Sequence, residues 1–169
     1  MQRKFTKKIA LCALYSTFAL LSFMLESLIP PLIIPNARIG ISNIFILLST
    51  FSLGLYYGIT TILVKSILGS LFIGNVSAVL YSLPAGVIAL VVQVLILSFN
   101  SKVSITATSI IGSIINSLIQ NVVFCVFTNS FEYLIYLPYL AVISLISGLI
   151  VGTIIYILLK KIPKIYLGA

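Results

Sequence analysis

The sequence predicts an all-α integral membrane protein with six transmembrane helices. Of its residues, 61% are hydrophobic and only 7% are charged, whereas soluble domains carry roughly 25% charged residues. A soluble domain of this composition would lack the polar side chains needed to cover its surface. The apolar residues also fall into six long runs separated by segments that contain charged residues, Pro, Gly or Asn. Lipid is therefore the expected solvent for most of the chain.

The six runs have lengths suited to a bilayer, whose hydrocarbon core of about 30 Å needs roughly 20 apolar residues per helix. They cover residues 9–29, 39–57, 59–73, 76–99, 104–128 and 134–159. The third run is the shortest and needs a thinned membrane, a half-buried end or an entry loop. The first run is too long for a cleaved signal peptide. We expect residues 1–169 to form one transmembrane domain.

The basic residues predict the orientation of the helices. Six crossings place eight of the ten Lys and Arg residues on one side of the membrane. They are Arg3, Lys4, Lys7, Lys8, Lys102, Lys160, Lys161 and Lys164. The positive-inside rule makes that side, and with it both chain termini, cytoplasmic. Topology and contacts with anionic membrane lipids explain the net charge of +8, so we expect no nucleic-acid partner.

The residue types present argue against catalysis and against a metal site. The chain has no His, and its only acids are Glu26 and Glu132. Hydrolysis needs a nucleophile with a base or a metal, and prenyl-diphosphate synthesis needs carboxylate clusters that hold Mg²⁺. Cys12 and Cys125 lie within predicted spans and are expected to pack as small hydrophobic side chains. We therefore expect no enzyme activity, no metal and no cofactor.

Two charged residues lie within predicted spans. Glu26 is near the outer end of the first span, and Lys65 is near the middle of the third. A charge at the centre of a membrane helix costs at least about 2.5 kcal/mol on insertion scales, so such residues usually face the protein interior and pair there. We expect Glu26 and Lys65 to approach each other or to share a ligand. The alternative is that each side chain reaches independently toward the nearer membrane surface.

The fifth predicted span carries a stripe of uncharged polar side chains. Ser109, Ser113, Asn116 and Gln120 follow one another at steps of three or four, which keeps them on one helix face. Such a stripe must face other helices or a wet cavity, because lipid cannot satisfy it. Singly, each residue is more typical of a hydrogen bond between helices.

Taken together with polar residues of the other spans, the stripe predicts a pocket that opens outward. Ser82 and Gln93 of the fourth span are further candidates for its wall. The predicted substrate-binding residues are Glu26, Arg38, Asn43, Lys65, Tyr81, Asn116 and Gln120.

A proline-rich loop follows the first span. Pro30, Pro31 and Pro35 prevent a regular helix over residues 29–40. The segment is expected either to lie across the outer mouth of the pocket as a lid or to be a plain connection between helices.

Pairs of small residues four apart predict close contacts between helices. Gly148 and Gly152 form such a pair in the sixth span. In the first span, the pairs Cys12 with Ser16 and Ala13 with Thr17 have the same spacing. These two pairs serve either internal packing or the docking of another membrane subunit.

The ordered motifs LESLIPP, ARIGISNI, KSILGSLFIG, YSLPAG and GSIINSLIQN are similar to those of the Gx transporter family, often labelled heptaprenyl diphosphate synthase component I. The resemblance covers about residues 20–159 and extends to the S components of energy-coupling factor vitamin transporters. It implies a six-helix S-component-like bundle in the cell membrane with a small-molecule pocket near the outer face. It also implies docking onto a transmembrane coupling subunit powered by ATPase subunits, and it suggests a flavin- or quinone-related cargo.

Two functions remain open at this point. The first is the substrate-binding component of an importer for a small organic molecule. The second is a non-catalytic membrane anchor or accessory subunit for prenyl diphosphate or quinone synthesis, or for an electron-transfer assembly, in which the polar stripe serves only helix packing.

Overall fold

The computed structural model describes residues 2–28, 40–99 and 103–161. These ranges form six α-helices and one 3₁₀ helix, and they contain no β-strand. The elements are α1 (Gln2–Leu28), α2 (Ser42–Leu53), α3 (Leu55–Ile73), α4 (Ala78–Phe99), α5 (Ile105–Thr128), the 3₁₀ helix Phe131–Tyr136 and α6 (Leu137–Lys161). Five of the helices are long and apolar enough to cross a membrane. The predicted all-α, multi-pass membrane fold with six helices is confirmed.

The boundary between α2 and α3 differs from the prediction. The helical conformation is interrupted at Gly54, whose φ of 116° is accessible to glycine and rare for other residues. Gly58, where the break was expected, lies inside α3. A Cβ there would come within 2.0 Å of Thr50 Oγ1, so this glycine allows α2 and α3 to approach closely. The expectation that the third span is the shortest is therefore wrong. It is α2 that is short, with 12 residues against 19 in α3.

The first three helices pack on one another through small polar side chains. Ser16 Oγ of α1 donates to Thr61 Oγ1 of α3 at 3.3 Å, and the same Thr61 oxygen lies 3.2 Å from Ser49 Oγ of α2. Cys12 Sγ lies 3.2 Å from Thr60 Oγ1. Cys12 and Ser16 therefore serve internal packing, which was one of the two alternatives for this pair.

The outer face of α1 is different. Ala13 and Thr17 are both exposed on the surface of the bundle, and the Thr17 hydroxyl donates to the Ala13 carbonyl oxygen at 2.9 Å. This pair therefore does not hold α1 against the helices of the described bundle.

Glycines bring α5 and α6 close together. A Cβ at Gly148 would lie 2.7 Å from Ile110 Cα, and a Cβ at Gly152 would lie 2.8 Å from Thr106 Cα. Neither neighbour can move aside, because both are backbone atoms. The predicted helix contact at these two glycines is confirmed.

The helices thus form two groups, α1–α3 and α4–α6, which meet where α3 packs on α4 and α2 packs on α6. Buried aliphatic side chains fill one end of this junction, the end that holds the start of α5 and the end of α6. They include Ile44, Ile62, Leu90, Val151 and Ile155. Toward the middle of the bundle the junction changes from apolar to polar.

We expect Gly148→Leu to destabilise the bundle, because the new side chain must push α5 and α6 apart. Overpacking of this kind costs about 1–3 kcal/mol or more. Thr153→Leu is the matched control, since Thr153 lies on the same helix with an exposed side chain. The measurement is thermal unfolding of the purified proteins in one detergent. Equal melting temperatures for the two variants would contradict the close contact.

Candidate functional site

A cavity lies between the two helix groups, and each of the six helices contributes polar side chains to its wall. Its volume is about 80 Å³. A cavity needs only about 10–15 Å³ to hold one water, so this cavity has room for several waters or one small solute. More than half of the lining residues carry hydroxyl, amide or charged groups, and Phe23 is the only aromatic residue among those described.

The polar stripe of α5 faces this cavity. Ser109, Ser113, Asn116 and Gln120 all line it, together with Ser117. Their spacing keeps them on one face of the helix, as expected from the period of 3.6 residues. The stripe was expected to face either other helices or a wet cavity. The geometry favours the cavity for most of the stripe.

Some of the hydroxyl groups on this face instead hold α5 to α6. Ser113 Oγ lies 2.6 Å from the Ser144 carbonyl oxygen. The Ser144 hydroxyl donates to Ser117 Oγ at 2.6 Å. One helix face thus both packs against α6 and lines the cavity.

For three amide side chains in the wall, hydrogen bonding depends on what occupies the cavity. Gln93 of α4 is only 6% exposed, and its amide lies over Gly112, where a Cβ would come within 1.6 Å of Nε2. Asn116 and Gln120 of α5 are half-buried. In the described part of the chain, no protein hydrogen bond is present to any of the three amide groups. An unsatisfied buried polar group costs about 1–3 kcal/mol, so these amides favour a cavity that holds water or a polar ligand.

Glu26 lies at the start of α2. Its Oε1 accepts hydrogen bonds from the backbone N–H groups of Ile41 and Ser42, the latter at 3.3 Å. The first N–H groups of a helix have no partner within the helix, and the helix dipole favours a negative charge beside them. No side chain of the adjoining residues caps α2. Glu26, itself only 7% exposed, therefore supplies the cap from a different helix.

Lys65 reaches the same turn of α2 from α3. Its Nζ donates to Asn43 Oδ1 at 3.3 Å and lies 5.4 Å from the centroid of the Phe23 ring. That distance is within the range of a cation–π interaction. The carboxylate of Glu26 and the ammonium of Lys65 therefore both contact the first turn of α2, and both line the cavity.

Five of the seven predicted binding residues line this one cavity, namely Glu26, Asn43, Lys65, Asn116 and Gln120. Tyr81 does not line it. Its buried ring packs edge to face against Phe124, with 5.5 Å between the ring centroids. Arg38 and the proposed lid over residues 29–39 lie outside the described residues.

Sequence reasoning missed Ser144 and Ser147 of α6, which also line the cavity. Their spacing of three residues, next to Gly148, was the available signal. Sequence reasoning also missed that Glu26 caps a helix, because its partners are backbone groups 15 and 16 residues away.

No group of three or more His, Cys, Asp or Glu residues that could hold a metal ion occurs within the described ranges.

Residues 15–158 match the family described as Heptaprenyl diphosphate synthase component I. The chain belongs to this family. The match begins within α1 and ends within α6, so it includes every residue that lines the cavity. The resemblance seen in the motifs is confirmed as far as this family label. No curated protein and no solved structure matches the chain.

We expect Glu26→Leu to destabilise the start of α2, because it leaves the N–H groups of Ile41 and Ser42 without an acceptor. The expected loss is about 1–3 kcal/mol. Glu26→Gln should lose less, since its side-chain oxygen still accepts a hydrogen bond. The measurement is amide hydrogen exchange at Ile41 and Ser42 together with thermal unfolding.

Glu132→Gln is the control for this test, because Glu132 is the other acid of the chain and is exposed. If Glu26→Leu matched Glu132→Gln in both exchange and melting temperature, the capping role of Glu26 would be refuted.

Proposed function

We propose that the protein is the substrate-binding component of an importer of the energy-coupling factor type. The observation that carries this proposal is the polar cavity lined by residues of all six helices, in a bundle whose outer surface is apolar. Isolated hydrogen bonds between helices need no such space. A cavity lined with amides, hydroxyls and two charges is suited to holding a hydrophilic molecule away from lipid.

The residues of the wall offer different kinds of contact to a ligand. The amides of Gln93, Asn116 and Gln120 offer both donors and acceptors to a ligand. Lys65 and Glu26 add one charge of each sign at the turn where α2 begins. A small number of polar groups at fixed positions in a pocket sets the orientation of a ligand and makes its binding specific.

The energy for transport would come from other subunits. The sequence contains no phosphate-binding loop, so ATP would be hydrolysed by ATPase subunits joined through a transmembrane coupling subunit. The distribution of Lys and Arg supports a cytoplasmic position for both termini, the side on which such ATPases act.

A second function is favoured by the family description, which names a component of a synthase. In that role the protein would be a non-catalytic membrane subunit that holds a soluble prenyl diphosphate synthase at the membrane. The soluble partner would supply the carboxylates for Mg²⁺, since this chain has only two acids. Proteins that co-purify with the tagged chain distinguish the two functions: ATPase and coupling subunits support the importer, and a soluble synthase supports the accessory role.

We expect the purified wild-type protein to retain a small solute that Lys65→Met loses, because the substitution removes the only cation of the described cavity wall. The measurement is mass spectrometry of small molecules released from equal amounts of folded protein. Lys160→Met is the matched control, since Lys160 is exposed at the end of α6.

Identical solute profiles for Lys65→Met and Lys160→Met would contradict the importer function. In the accessory role, Lys65→Met should instead be neutral or stabilising, because it removes a charge from within the membrane.

A further inference from the structure

We propose that the cavity binds one small hydrophilic solute that is uncharged or zwitterionic, and that it does not bind a flavin, a quinone or an isoprenoid chain. This inference rests on the proposed importer function, since it names the ligand class of the same cavity. Its three supports are the volume of the cavity, the chemistry of its wall and the balance of its charges.

The volume limits the ligand to a small molecule. The cavity volume is about 80 Å³. Pockets for drug-sized ligands enclose about 300–1,000 Å³. A tricyclic flavin or a long prenyl chain needs a pocket of this larger class, whereas a neutral amino acid, a nucleobase or a short polyol needs a smaller one.

The wall is suited to a ligand that forms hydrogen bonds over most of its surface. The amides of Gln93, Asn116 and Gln120 find no protein partner among the described residues. A quinone or an isoprenoid would displace water from these amides and offer few hydrogen bonds in return, which is unfavourable. The only aromatic ring in the described wall, Phe23, lies beside the Lys65 ammonium. This described part of the wall therefore lacks the stacked aromatic surfaces that a flavin ring would use.

Within the described residues, the charges of the wall balance each other. Glu26 and Lys65 are the charged residues that line the cavity in the described part of the chain, and both contact the first turn of α2. A ligand with a net charge would add an uncompensated charge at a site surrounded by apolar helices, which is costly. An uncharged ligand adds none. A zwitterion can place its carboxylate toward Lys65 and its ammonium toward Glu26.

The test is thermal unfolding of the purified wild-type protein in nanodiscs with three panels of compounds at equal concentrations. The first panel contains the neutral amino acids, the purine and pyrimidine bases and polyols of four to six carbons. The second contains riboflavin, menadione and farnesol, and the third contains succinate and putrescine. We expect a compound of the first panel to raise the melting temperature and to bind at least tenfold more weakly to Asn116→Leu.

Asn75→Leu is the control, because Asn75 is an exposed amide in the turn between α3 and α4. It should bind the compound as the wild type does. If Asn116→Leu fails to fold, Gln120→Met replaces it, since this change removes another amide of the wall with little change in shape.

Each other outcome overturns the proposal in a distinguishable way. Binding of a compound from the second or third panel, weakened by Asn116→Leu, would refute the ligand class and leave the importer function standing. A compound of the first panel that bound equally to wild type, Asn116→Leu and Gln120→Met would bind outside this cavity, which contradicts the proposal. No shift with any panel would contradict both the ligand class and the function as a solute-binding component.

Discussion

The structure depends on the inability of hydrocarbon to form hydrogen bonds, which forces polar side chains of membrane helices to find partners inside the bundle. In this chain they collect where α1–α3 meet α4–α6. Small hydroxyl side chains can share hydrogen bonds between helices, as Ser16 and Thr61 do. The larger amides of Gln93, Asn116 and Gln120 do not complete such pairs within the described residues. The same constraint therefore produces both the packing of the bundle and a polar cavity at its centre.

The position of the cavity follows from the short helix α2. This helix begins at the wall of the cavity, where Ser42 is only 1% exposed, and its first N–H groups have no partner within the helix. Glu26 accepts hydrogen bonds from two of them, and the next residue, Asn43, accepts one from Lys65. The acid at the end of the first span thus joins α1 to α2, and the in-span lysine joins α3 to the same turn. Both charges, which are costly within a membrane, thus hold the helices that form the wall of the cavity.

Hydropathy and helical periodicity were sufficient to predict the number of helices and the polar face of α5, because lipid constrains both directly. They could not decide between Gly54 and Gly58 as the break between α2 and α3, since both are glycines and only the folded backbone shows that Gly54 is the one with a positive φ. Nor could they show that Glu26 caps α2, because its partners are backbone atoms that folding brings near. Tyr81 has the polar group expected of a binding residue, but its ring fits against Phe124. The sequence pattern thus predicts which helix faces are polar, whereas tertiary contacts determine which groups each side chain contacts.

The chain belongs to the Heptaprenyl diphosphate synthase component I family and contains a polar cavity. Both statements hold whichever partner the protein serves. The side-chain amides of Gln93, Asn116 and Gln120 line the cavity, and we expect this space to be hydrated within the membrane. Solid-state NMR of the protein in lipid bilayers tests this claim directly by following magnetisation transferred from water and from acyl chains. We expect rapid transfer from water to these three amides. Transfer to them from acyl chains alone would contradict it.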